Sequence, residues 1–216
     1  MKRQQQGLSL IELMIAILIS SLLLLGVIQL FGNTSTSDRT NTAMARIQES
    51  GRIALEIIGA DARRAGYQGC SSAANKTTIG SLTFPADALA ATENSVTFRY
   101  ATAANTGTLF GANKTCDDDA LYLNNVTYSS CPSGGVQHIC KSVNGGTATA
   151  VLDNAEITSI SFGVPSGGVT QWKDSEDISS TDLALAHAVR LTLTVTDSRN
   201  EVSREFSSTY ELRNRL

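Results

Sequence analysis

Apolar residues follow three regimes along the chain. From residue 8 to residue 31 they form a run broken only by Ser9, Glu12, Ser20, Ser21, Gly26 and Gln29. At about 1.5 Å per residue this run reaches once across the hydrocarbon of a bilayer and predicts a single transmembrane helix. From 44 to 65 a set of apolar or small positions falls at Met44, Ile47, Gly51, Ala54, Leu55, Ile58, Ala62 and Ala65. Steps of three and four mark one face of an amphipathic helix. Between the two lies "GNTSTSDRTNT", rich in poor helix formers, where fraying is expected. A helix persisting from 8 to 65 would be roughly 85 Å long, more than one small domain can bury. Gly66, with Arg63 and Arg64 at the negative end of the dipole, supplies the helix stop.

Beyond Tyr67 the period falls to two. Val96, Phe98 and Tyr100 alternate with Thr97, Arg99 and Ala101, and Ile160, Phe162 and Val164 repeat the pattern. Val189, Leu191, Leu193 and Val195 form a further strand. "DSRN" then turns the chain into a partner strand carrying Phe206, Tyr210 and Leu212, an antiparallel hairpin.

Glu12 is the anomaly of the apolar run, since an unpaired carboxylate in a membrane costs roughly 2.5–3.5 kcal/mol on insertion scales. Lys2 and Arg3 precede it with no acid between, which places this end on the cytoplasmic side and sends the rest of the chain across the membrane. No A-x-A cleavage pattern follows the apolar core. The small residue comes before it, at Gly7. "GLSLIEL" with its basic leader resembles the class III signal of type IV prepilins. That resemblance implies cleavage by a prepilin peptidase between Gly7 and Leu8 and N-methylation of Leu8, where Phe is usual. It also makes Glu12 the fifth mature residue, able to pair with the terminal ammonium of a neighbouring subunit so that two costly charges become tolerable together.

Residues 46–70, "RIQESGRIALEIIGADARRAGYQGC", resemble PilW-type minor pilins, which carry an Arg-Ala-Leu helix and an A-G-Y-x-G-C signature at the helix end, here Ala65, Gly66, Tyr67, Gly69 and Cys70. The closing "YELRN" also resembles that family. The fold implied is α+β, the type IV pilin fold, a long N-terminal helix packed on a mostly antiparallel sheet. Its expected parts are a leader over 1–7, a transmembrane helix half over 8–32, an amphipathic half over 33–66 and a disulfide-containing β-rich head over 67–216. Residues 71–187 read only as strand-rich.

Charge narrows the partners. The formal net charge is −3, and loss of Lys2 and Arg3 with the leader leaves 15 basic against 20 acidic residues. Direct nucleic-acid binding is disfavoured, because phosphate neutralisation needs clustered Lys and Arg. Cys70, Cys116, Cys131 and Cys140 all fall on the translocated side, where disulfides persist. Three pairings are open, and the favoured one is Cys131 with Cys140 and Cys70 with Cys116. Zinc is the rival, but no C-x-x-C pair is present.

"CDDDA" lacks the alternating acids of a calcium loop and reads as an exposed turn. His138 and His187 have no nucleophile motif beside them, and the paired glycines lack the following helix that a phosphate cradle needs. No catalytic constellation, metal site or cofactor site emerges, so a membrane-tethered periplasmic enzyme is the remote class. The leading class is a minor pilin of a pilus tip or priming complex, and the alternative is a J-type pseudopilin of type II secretion. Expected partners are other minor pilins, the major pilin, a large tip adhesin, the prepilin peptidase and inner-membrane lipid before assembly.

Overall fold

The computed structural model describes residues 9–71 and 74–212. Helix α1 runs without interruption over Leu10–Arg64, 55 residues, or about 82 Å. The chain divides into two compact units between Ala45 and Arg46. In the first, no residue from 10 to 45 is buried, and the segment is long and apolar enough to cross a membrane.

The Ser/Thr-rich stretch expected to fray is helical. Its hydroxyls donate back to the preceding turn, Thr34 to Leu30 O at 2.9 Å, Thr36 to Gly32 O at 3.0 Å and Thr40 to Thr36 O at 3.0 Å. Back-bonding satisfies these side chains without leaving the helix, at a modest cost in helix stability.

The second unit starts with the last turns of α1. Here Ile47, Gly51, Ala54, Leu55, Ile58, Gly59, Asp61 and Ala62 are buried, the predicted stripe from Ile47 onward with Gly59 and Asp61 added, while Met44 at its predicted start is only half-buried. Gly66 ends the helix at φ +81°, a left-handed conformation favourable to glycine, and its N–H donates to Arg99 O at 2.9 Å.

Among the described residues twelve strands follow in three sheets. β1 (Thr77–Ile79) and β2 (Leu82–Phe84) form a small hairpin. β3 (Leu89–Thr92), β4 (Ser95–Thr102), β6 (Ala120–Ser133), β7 (Val136–Val143) and β8 (Thr149–Asp153) lie side by side in that order, with β5 (Leu109–Lys114) also pairing β6. β9 (Ala155–Ser166), β10 (Val169–Asp174), β11 (Ala188–Thr196) and β12 (Ser203–Glu211) make the other large sheet, in the order β10-β9-β11-β12. The β11–β12 pair is the hairpin expected from the sequence, with Val189 opposite Tyr210 and Leu193 opposite Phe206. A short helix α2 (Ser180–Leu185) is capped by Ser179, whose side chain accepts from Asp182 N, satisfying an otherwise orphaned donor.

The main core gathers Ile58 with Phe98 and Tyr128 of one sheet and Ile160, Phe162, Leu191 and Leu193 of the other, all at 1% exposure or less. Period-2 burial follows directly, because alternate strand residues point to one face. A smaller cluster sits under the β1–β2 hairpin, where Phe84 and Phe110 meet edge to face with ring centroids 4.8 Å apart.

Candidate functional site

The processing residues Gly7 and Leu8 lie outside the described residues. Glu12 stands in the first turn of α1, where a carboxylate faces the positive end of the helix dipole. Ser9 O accepts from Glu12 N at 3.0 Å and Leu13 N at 3.2 Å, opening the helix. The Glu12 side chain is exposed, and among the described residues it has no ion-pair partner.

The second unit holds the same helix on two sides. On one side β12 presents rings to the glycines. A Cβ placed on Gly51 would stand 2.6 Å from Phe206 Cδ2, and one on Gly59 would run into the Tyr210 ring. Tyr210 donates its hydroxyl to Leu55 O, and the Arg63 guanidinium lies 5.9 Å from the centre of the same ring. At both positions a ring of β12 occupies the space a side chain would take.

On the other side is Asp61, 5% exposed. Tyr100 of β4 donates to its Oδ1 at 2.8 Å, while Tyr128 of β6 and Lys141 of β7 donate to its Oδ2 at 2.6 and 2.8 Å. Asn124 Nδ2 donates in turn to the Tyr100 hydroxyl at 3.0 Å. Lys141 also lies 5.4 Å from the Tyr128 ring centre, and Arg64 lies 4.6 Å from that of Tyr100.

Burial pushes the Asp61 carboxyl up, but the hydrogen bonds from Lys141, Tyr128 and Tyr100 together outweigh it and hold the group below its ordinary value. Burial, then the bond to Asp61, pushes Tyr100 up to about 12, and the same two causes raise Tyr128 further. A charged carboxylate held by three donors is the arrangement that makes a buried acid tolerable. Asp61 falls within the 46–70 stretch that resembles the minor pilins, but the sequence gives it no role. The available signal was an acid one residue before Ala62 of the apolar stripe, with Ile58 three residues earlier.

Cys70 is joined to Cys116, with Cα atoms 5.0 Å apart, and Cys131 to Cys140, with Cα atoms 6.0 Å apart. The first bond ties the helix exit to the end of β5, where Cys70 N also donates to Lys114 O. The second crosses between β6 and β7. In "CDDDA", Asp118 takes φ +71° and receives Lys114 Nζ at 2.8 Å. His138 Nδ1 meets Asp153 at 2.8 Å, and His187 Nε2 meets Thr170 at 3.1 Å. Among the described residues no group of three or more His, Cys, Asp or Glu is placed to hold a metal ion. A cleft of about 260 Å³ opens beside the β6–β7 and β11–β12 turns, and Glu156 is the titratable residue among those lining it.

The prokaryotic N-terminal methylation motif matches residues 2–28, a span that includes Gly7, Leu8 and Glu12. The profile of prepilin peptidase-dependent protein B matches residues 40–212, most of the amphipathic helix half and the sheets. The chain belongs to the prepilin peptidase-dependent protein B family. With its long apolar N-terminal helix and antiparallel sheets it is a type IV pilin-like protein. A type IV-like pilin from Thermus thermophilus is similar in structure at a TM-score of 0.43 and 9% sequence identity, over 78% of this chain and 96% of that one. No curated protein matches the sequence.

Proposed function

We propose that this member of the prepilin peptidase-dependent protein B family is a PilW-type minor pilin. It enters the tip or priming complex of a type IV pilus and promotes filament assembly as a structural subunit, with no catalytic role. Residues 1–7 are the leader, residues 8–32 hold the precursor in the inner membrane with its N-terminus cytoplasmic, and the head over 67–216 is exported. Cleavage after Gly7 frees the amino group of Leu8, which is then methylated. The partners are the prepilin peptidase, other minor pilins and the major pilin, and after assembly the subunit is extracellular.

The observation that carries this reading is Glu12, an exposed carboxylate within the apolar run that ends at Phe31, on a helix in which no residue from 10 to 45 is buried. Such a segment is stable where other apolar helices or lipid surround it, and the carboxylate is stable where a cation meets it. A neighbouring subunit's new N-terminus supplies that cation.

Glu12→Ala is the test. Pilus number and co-purification with other minor pilins are expected to fall, while the amount of protein in the membrane stays equal or rises because a carboxylate has been removed from the apolar layer. Normal piliation and complex formation at equal expression would reject the role of Glu12. Loss of type II secretion with intact pili would favour the pseudopilin reading.

A further inference from the structure

Asp61 lies two residues beyond Gly59, or about 200° further around the helix. The end of α1 is thus gripped from opposite sides, by the rings of β12 at Gly51 and Gly59 and by polar donors of the six-stranded sheet at Asp61. The two grips differ in kind. Apolar contacts have no direction, so an apolar stripe resists displacement through shape alone.

A carboxylate is held by direction as well. The three donors come from three strands, and Tyr128 and Lys141 stand directly opposite each other in the β6–β7 register, so they converge on one point. Sliding the helix by four residues, about 6 Å, would bring Ile57 or Ala65 to that point. Two phenols and an ammonium would then face an aliphatic group, and a carboxylate would be left elsewhere on the helix.

Burying an ion pair returns little net stability, because desolvation consumes most of the attraction, whereas leaving one partner alone is costly. We propose that the Asp61–Lys141 pair, with Tyr100 and Tyr128, is a register key: it selects one axial and rotational seating of the helix on the six-stranded sheet rather than adding net stability. The ionisable and charged groups that face Asp61 are Tyr100, Tyr128 and Lys141, with Arg64 stacked outside Tyr100. A single polar residue in an apolar helix seam fixes register in the same manner in coiled coils.

The test uses the full chain in detergent micelles and reads the NMR resonances of Gly51 and Gly59, which the rings of Phe206 and Tyr210 shift in the observed seating. In the double variant Asp61→Leu/Lys141→Met the thermal midpoint is expected to stay within about 5 °C of the parent. The two glycines are expected to show more than one set of resonances. A single parental set would overturn the proposal, because the glycine notches would then suffice to fix the register. Loss of cooperative folding, or a much larger drop in midpoint, would also overturn it by making the cluster a stability element. Lys141→Met alone keeps the carboxylate and both phenols. It is expected to lower the midpoint while keeping one set of resonances, and multiple sets there would show that Asp61 is not the selecting group.

Discussion

One helix, α1, contains two segments that reach stability by different means. Residues 10–45 are apolar over most of their length and bury nothing within the molecule, while residues 46–64 are mixed in composition and bury eight positions. Propensity does not separate them, since both contain glycine and both are helical. The difference lies in where the apolar surface goes. The second segment places its surface against two sheets of its own chain, whereas the first leaves it for an environment outside the chain. Helical stability in proteins comes mostly from packing an apolar face, so the first segment requires lipid or other helices and the second does not.

The largest expected effect separates the two segments by redox state. Reducing Cys70–Cys116 and Cys131–Cys140 should remove about 4 and about 3 kcal/mol from the second unit by the chain-entropy relation. In micelles, denaturant titration followed by near-ultraviolet circular dichroism should show the loss. Far-ultraviolet signal from the apolar helix should persist. Collapse of both signals together would mean that the two segments are coupled, and the comparison would fail.

Next comes packing at the glycines. Gly59→Ala forces the Tyr210 ring, which is 7% exposed, out of its place and strains its bond to Leu55 O, at a cost of about 2–3 kcal/mol. Gly51→Ala should cost about 1 kcal/mol, since Phe206 is half-buried and can turn away, and alanine returns part of the loss through helix propensity. Urea midpoints of the two variants measure the difference, and equal midpoints would contradict the asymmetry between the two notches.

Much of this was legible in the sequence. The stripe from Ile47 to Ala65, the stop at Gly66 and the hairpin of β11 with β12 follow from periods of 3.6 and 2, which local patterning carries. Division of the head into two large sheets was not legible, because a strand's alternation does not say which sheet it joins. Asp61 was unreadable for a related reason. Its donors lie 39, 67 and 80 residues away, and only the fold brings them together. Glu12 stands out in the sequence because its anomaly is local, an acid inside an apolar run.

The buried acid also makes the second segment sensitive to pH. Asp61 is held below its ordinary value, so its contribution is fully present above the unfolded carboxylate value of about 4 and is lost as pH falls through the lower folded value. Tyr100 and Tyr128 are raised, so their contribution is fully present below about 10 and is lost as pH rises through about 12 and beyond. Thermal midpoints between pH 2 and 5 should fall less steeply in Asp61→Asn than in the parent. Equal slopes would assign the acid sensitivity to other carboxylates. The exposed helix at 10–45 should show no matching alkaline transition, since it contains no tyrosine.

The smallest effect concerns glycine in the first segment. A Cβ built on Gly26 or Gly32 meets nothing within 4 Å, in contrast to Gly51 and Gly59, so the same substitution changes sign along one helix. Gly32→Ala should stabilise the helix by up to about 1 kcal/mol through propensity alone. The gain should appear as slower amide exchange from residue 30 to residue 42, where Thr36 back-bonds to the Gly32 carbonyl, with the head's melting midpoint unchanged. The opposite result, faster exchange at those amides, would mean that the environment around this stretch needs the space glycine leaves. Under the proposed assembly that space would go to a neighbouring helix. Measuring the exchange before and after assembly therefore tests whether Gly32 is spare helix or a contact between subunits. Unchanged protection in the monomer combined with impaired piliation in Gly32→Ala would point to the contact.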